Sequence, residues 1–281
     1  MTYTTLVSAA TLQQNLDNPN WVIVDCRFSL SETEAGAYAY RHGHIPNARY
    51  AHLDKDLSSA ITDYTGRHPL PGFTLLAKKL GAWGISNNSQ VVAYDDAGGA
   101  FAGRLWWLLR CLGHERVAVL DGGINYWQKL ELPVTTTLPI IKPATFRPYL
   151  NTACWLNALQ VQNGLAQKSI CLIDARTPKR YSGEQEPVDP VAGHIPHALN
   201  RVFQLNLDNS GLFLSAEQLR SQFSQIIGDT PPEQVVHTCG SGVTACHNLL
   251  AMEHAGLTGS KLYAGSWSEW IRDKNRPVVV G

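Results

Sequence analysis

The sequence lacks the marks of membrane insertion, export and metal binding. No stretch approaches the roughly 18 consecutive apolar residues of a membrane span. The opening MTYTTLVSAATLQQNLDNPN has no basic start followed by an apolar run, so no signal peptide is expected. Net charge is absent too, since 23 Lys and Arg balance 23 Asp and Glu. A balanced chain gives no reason to expect nucleic acid or an anionic membrane as partner, and attraction for an anionic substrate has to come from a local site. The six cysteines, Cys26, Cys111, Cys154, Cys171, Cys239 and Cys246, form no C-x-x-C pair and no zinc-spaced cluster with histidine, so no metal and no cofactor are expected. Together these absences predict reduced thiols and a cytoplasmic protein. Five of the six read as small buried hydrophobes; Cys239 stands apart.

What is present is one unit written twice. Val22-Ile23-Val24-Asp25-Cys26-Arg27 parallels Cys171-Leu172-Ile173-Asp174-Ala175-Arg176, and Gly43-His44-Ile45-Pro46 recurs as Gly193-His194-Ile195-Pro196. Val91-Val92-Ala93-Tyr94 parallels Val235-Val236-His237-Thr238, and Asp121–Trp127 lines up with Ala264–Trp270. Four blocks in one order, offset by 143 to 150 positions, mean duplication of a domain-sized unit. Each unit carries short apolar runs: Trp21–Asp25, Gln90–Tyr94 and Arg116–Leu120, then Ile170–Asp174, Gln234–Thr238 and Lys261–Tyr263. Such runs suit strands buried on both faces, and Ala102–Leu112 and Val243–Ala255 suit crossover helices. The class predicted is α/β, each unit a parallel sheet flanked by helices. Pro133, Pro139, Pro143 and Pro148 punctuate a linker. The division expected is an N-terminal domain over 1–135, a linker over 136–151 and a C-terminal domain over 152–281.

Ligands of open parallel sheets bind where strands end and helices begin. In the second unit that point is Cys239-Gly240-Ser241-Gly242, between the Val235–Thr238 run and the helix expected from Val243. The first N–H groups of a helix lack intrahelical partners and, with the helix dipole, favour an anion. A thiol there is expected to ionise readily and act as nucleophile, with two glycines letting the loop curl around it. The reading requires a sulfur that a donor can reach. Asp95 stands at the matching point of the first unit, which therefore lacks a nucleophile. Cys246, about two turns into the helix, reads as core. So do Trp106, Trp107, Trp127, Trp267 and Trp270, and the twice-written Gly-His-Ile-Pro reads as structural.

These segments, with Cys239-Gly240-Ser241-Gly242-Val243-Thr244-Ala245 and Gly265-Ser266-Trp267-x-x-Trp270, resemble the rhodanese superfamily in its two-domain form over essentially the whole chain. The resemblance implies tandem rhodanese-like domains, the first catalytically inactive. It also implies a sulfurtransferase cycle in which Cys239 takes sulfur from a small-molecule donor as a persulfide and passes it to a thiol, cyanide or a thioredoxin-like acceptor. Thiosulfate-preferring members typically carry Cys-Arg-Lys-Gly-Val-Thr, with two cations. Gly240 and Ser241 stand there instead, as in the 3-mercaptopyruvate sulfurtransferases. That subgroup implies a proton relay of Ser241, His68 and Asp54, needed because mercaptopyruvate must lose a thiol proton and its carbon fragment must gain one. Read alone, His68 is a surface loop histidine and Ser241 a helix cap. Donor binding falls to Arg180 with Gly240, Gly242, Val243 and Thr244. Val188 occupies the place of a second carboxylate-binding arginine, for which Arg201 or Arg67 could substitute. A cysteine phosphatase is excluded, because Ala245 replaces the arginine that would clamp the phosphoryl group and the loop is a residue short. A thiosulfate sulfurtransferase and a persulfide carrier serving one protein partner are the alternatives.

Overall fold

The computed structural model describes residues 2–281. Contacts divide the chain into two compact units. The first comprises Met1–Ser59, Leu70–Asn151 and Leu207–Phe213; the second comprises Ala60–Pro69, Thr152–Asn206 and Leu214–Gly281. Each unit thus includes a short segment that is remote in sequence from the rest of it. No helix among the described residues is long and apolar enough to cross a membrane.

The first unit is a five-stranded sheet of β1 (Leu6–Val7), β2 (Trp21–Asp25), β3 (Arg49–Tyr50), β4 (Gln90–Tyr94) and β5 (Val117–Leu120), in the order β1-β5-β4-β2-β3. The second repeats it with β6 (Trp155–Leu156), β7 (Cys171–Asp174), β8 (Leu199–Asn200), β9 (Val235–Thr238) and β10 (Lys261–Tyr263), in the order β6-β10-β9-β7-β8. All pairings are parallel. The registers match as well: Asp25 pairs with Tyr94 and Asp174 with Thr238, so corresponding strands end level. Every residue of β4 and β9 is buried, as continuous apolar runs in a two-faced sheet require. The six strands read from the apolar runs are all present, within a residue at their starts. The four two-residue strands are additional, too short to carry a pattern.

The repeated motifs explain themselves as struts. Arg27 binds the Asp25 carboxylate and also donates to the Gly43 carbonyl (2.7 Å); Arg176 does the same with Asp174 and the Gly193 carbonyl (2.8 Å). The Asp-x-Arg segment therefore clamps the glycine of Gly-His-Ile-Pro to the end of its strand. His44 stacks on Tyr40 and hydrogen-bonds its carbonyl (2.7 Å), as His194 does with Tyr181 (2.8 Å). These histidines are structural, and the five tryptophans are buried. Trp127 and Trp270 each donate an indole N–H to a proline carbonyl, of Pro133 and Pro277.

Residues 136–151 run along the first unit, with Ala144, Tyr149 and Asn151 donating backbone bonds to Gly81, Leu112 and Cys111. Leu207–Phe213 closes on itself through a bridge and donates the Phe213 N–H to Asp121 (2.9 Å). Cys26, Cys171, Cys239 and Cys246 are free thiols, whereas Cys111 and Cys154 are disulfide-bonded. The expectation of six reduced thiols is corrected on this point.

Candidate active site

Cys239 follows the last residue of β9, which lies between β10 and β7 in the middle of its sheet. The helix beyond it runs Ala245–His254, starting two residues later than the sequence pattern suggests. Gly242, in the loop before it, has a φ of +77°, in the left-handed region that favours glycine. A Cβ on Gly242 would lie 2.2 Å from the Ala264 carbonyl oxygen. Gly242→Ala is accordingly expected to cost roughly 2–4 kcal/mol, from strain plus a backbone clash. Urea unfolding of the variant measures it, and an unchanged midpoint would show that the loop adapts.

The loop is held so that its amides converge. The Cys239 and Gly240 carbonyls accept bonds from the Trp267 and Ser268 N–H groups (3.0 and 2.9 Å). In a trans peptide the N–H points opposite to its C=O, so the amides of Gly240 and Ser241 are turned away from Trp267 and Ser268. Gly242 donates its N–H to the Cys239 sulfur at 3.1 Å. The N–H groups of Gly240, Ser241, Val243 and Thr244 have no acceptor among the described residues. The Cys239 N–H itself is anchored on the Ser266 hydroxyl (3.1 Å). Cys246 is fully buried and donates its thiol to the Gly242 carbonyl (3.4 Å), supporting the loop from the core side.

The first unit shows what such a loop does with an anion. Asp95, at the position matching Cys239, is fully buried and accepts four backbone N–H bonds: from Ala97 (2.9 Å) and Gly99 (2.8 Å) on one oxygen, Phe101 and Ala102 (both 2.8 Å) on the other. Burial pushes this carboxyl up and the four amides pull it back. The cradle of the first unit is filled by its own side chain.

The second unit gathers further polar groups at this loop. His68 Nδ1 lies 2.7 Å from the Ser241 hydroxyl, both side chains buried. Neither surface exposure of His68 nor helix capping by Ser241 describes this pair, because the helix has no side-chain cap. Arg180 and Arg67 pack over Gly240, where a Cβ would stand 2.9 Å from Arg67 Nη2 and 3.4 Å from Arg180 Nη2. The loop carries no cation of its own, yet two guanidinium groups occupy the space its glycine leaves open. Arg180 forks onto Glu186 (2.8 and 3.1 Å) and reaches Asp189 (3.1 Å), which also binds Arg67. Arg176, stacked on Trp267 with its guanidinium carbon 4.9 Å from the ring, completes the cationic set. Burial would lower it, but Asp174, Glu186 and Cys239 raise its pKa.

The expectation for Arg201 needs correction. Arg201 is fully buried, bonded to Asn206 and Gln222 and stacked over Phe223, with its pKa lowered by burial to about 10. It belongs to another network and cannot substitute for the arginine missing at Val188; Arg67 is the one at the loop. Asp54 lies in the first unit, half-buried on the short helix Leu53–Asp56 that His52 caps, and burial raises its carboxyl. Cys239 is 2% exposed, against the expectation of a sulfur open to a donor. Val243 is buried and Thr244 half-buried. The sequence reading overlooked Asp189 and Glu186, although both lie close after Arg180 in the chain.

A duplicated α/β unit with a free thiol at one strand-end loop and a buried carboxylate at the matching loop defines a tandem class of protein. The rhodanese-like domain pattern matches residues 8–130 and 155–273, and the chain belongs to the rhodanese family. It is 46% identical to a probable 3-mercaptopyruvate sulfurtransferase of Pseudomonas aeruginosa, over 98% of both chains. It is 34% identical to the thiosulfate sulfurtransferase of Rattus norvegicus, over 96% of this chain and 93% of that one. Among solved structures, SseA from Escherichia coli, a 3-mercaptopyruvate sulfotransferase, superposes with a TM-score of 0.81 at 30% identity, covering 95% of this chain and all of that one. The 3-mercaptopyruvate sulfurtransferase from Leishmania major gives a TM-score of 0.84 at 29% identity, covering 95% and 74%. Relatives of this kind are enzymes, and persulfide-mediated sulfur transfer is the chemistry this chain carries.

Proposed function

We propose that the protein is a 3-mercaptopyruvate sulfurtransferase with Cys239 as its nucleophile and a catalytically inactive first domain. The observation that carries this reading is the His68–Ser241 contact beside Cys239, a proton relay that thiosulfate does not need and mercaptopyruvate does.

In this mechanism the Cys239 thiolate attacks the donor sulfur while the thiol proton passes to Ser241 and His68. The C–S bond breaks, its electron pair goes to carbon, and the relay returns the proton to the resulting enolate. Pyruvate leaves, and Cys239 keeps the sulfur as a persulfide anion. The Gly240, Ser241, Gly242, Val243 and Thr244 amides face that charge. A thiol or cyanide then attacks the outer sulfur and Cys239 departs as thiolate. Asp54 is proposed to orient His68, and Arg180 with Arg67 to hold the donor carboxylate. Residues 136–151 act as the linker between domains 1–135 and 152–281. A thioredoxin-like protein is the proposed macromolecular acceptor and the cytoplasm the proposed compartment, with no nucleic acid or membrane involved.

One observation favours the second reading, thiosulfate as donor: two guanidinium groups do reach the loop. Steady-state kcat/KM for 3-mercaptopyruvate and thiosulfate, with cyanide and with dithiothreitol as acceptors, separates the two. Mercaptopyruvate is expected to be the better donor by at least about tenfold, the scale of one lost general acid–base contribution or less. A preference for thiosulfate would reverse the assignment, and release of a single equivalent without turnover would mark a dedicated carrier.

A further inference from the structure

We propose that Asp189 is a specificity-determining residue: a resident carboxylate that sets the donor charge the site accepts. The inference rests on the reading above that donors bind at Arg67 and Arg180. Arg67, Arg176 and Arg180 supply three positive charges, and Asp174, Glu186 and Asp189 supply three negative ones. The cluster is neutral as folded.

Asp189 is the one carboxylate that bridges both arginines of the loop, Oδ1 to Arg67 and Oδ2 to Arg180 (3.1 Å), while its side chain is 3% exposed. It therefore does two things. It fixes the guanidinium groups over Gly240 with Arg67 Nη2 and Arg180 Nη1 unbonded to any other described residue, leaving two donors for one incoming carboxylate. It also cancels one of their charges at close range in a water-poor setting, where such cancellation is strongest. The backbone builds this in: the Glu186 carboxylate accepts the Val188 and Asp189 N–H groups (both 3.0 Å), curling the chain so that Asp189 meets the arginines and Val188 is turned outward.

A donor with one carboxylate and a neutral thiol suits such a site. A dianion places its second charge against Asp189 and is penalised. The loop's want of cations is thus only half of the selectivity; the other half is a carboxylate that partly neutralises the cations brought from elsewhere.

The test compares kcat/KM for 3-mercaptopyruvate, a monoanion, with that for thiosulfate, a dianion, in the wild-type protein and in Asp189→Asn and Asp189→Glu. Removing the charge is expected to raise the thiosulfate-to-mercaptopyruvate ratio at least about tenfold, well inside the roughly 10³-fold that one charge ~4 Å away would give at an effective dielectric near 20. The shift is expected to shrink at high salt, and Glu to restore the wild-type ratio. Asp189→Ser, with a smaller side chain, gives the same shift should the Asn variant fold poorly. A ratio unchanged on neutralisation, with both donors losing equally, would reduce Asp189 to a structural strut and overturn the proposal. The ratio shift is read whichever donor the wild-type protein prefers, so failure of the functional reading and failure of this one give different results.

Discussion

Replacing Cys239 by serine or alanine is expected to abolish sulfur transfer, with turnover falling by at least about 10³-fold, the scale of losing a nucleophile from an otherwise intact site. The serine variant keeps the Gly242 N–H partner and the anchored backbone, so its fold is expected to survive. A hydroxyl at that point is a far weaker nucleophile than a thiolate and yields no persulfide. Mass spectrometry after incubation with donor gives a direct readout: the wild-type chain gains the mass of one sulfur atom and the variant does not. Transfer that persisted in Cys239→Ser would move the chemistry to Cys246 or Cys171, the other free thiols of the same unit. Their settings argue against it, because Cys246 is fully buried and burial pushes the Cys171 thiol up.

His68→Ala is expected to act selectively. Turnover of 3-mercaptopyruvate should fall on the order of 10²-fold, the usual contribution of a positioned acid–base group, while thiosulfate transfer should change severalfold at most. Ser241→Ala should reproduce the direction of the split, because each group reaches the donor's proton through the 2.7 Å contact that the two share. The double variant then costs little more than either alone, since residues acting as a unit are not additive. Equal losses with both donors would remove His68 from the relay and leave it a packing role against the loop.

Much of this was legible in the linear chain, for reasons that differ from place to place. The central strands declared themselves because a strand buried on both faces must be continuously apolar, and Gln90–Tyr94 appears with the bounds the sequence implies. The position of Cys239 at a strand end was legible because two glycines after an apolar run are a local signal. His68 was found only through the family resemblance: its neighbours Arg67 and Pro69 say nothing of a serine 173 positions away. Asp189 was passed over because its meaning lies in two arginines, one of them 122 positions distant. The edge strands Leu6–Val7 and Trp155–Leu156 are two residues long, below the length at which any periodicity exists. Composition suggested that all thiols were reduced, and the disulfide-bonded state of Cys111 and Cys154 departs from it because cysteine pairing is a fact of three-dimensional proximity.

The carboxylate of Asp95 has a thermodynamic corollary. A loop whose amides are already satisfied by its own side chain has nothing to gain from cargo, so the stability of the first half is indifferent to the state of the cycle. The other half holds donors that are answered only once a sulfur anion is aboard. The sulfur–sulfur bond persists in the unfolded chain, so only these amide contacts can add stability on loading, and a rise in the unfolding midpoint confined to the second half is the expected result.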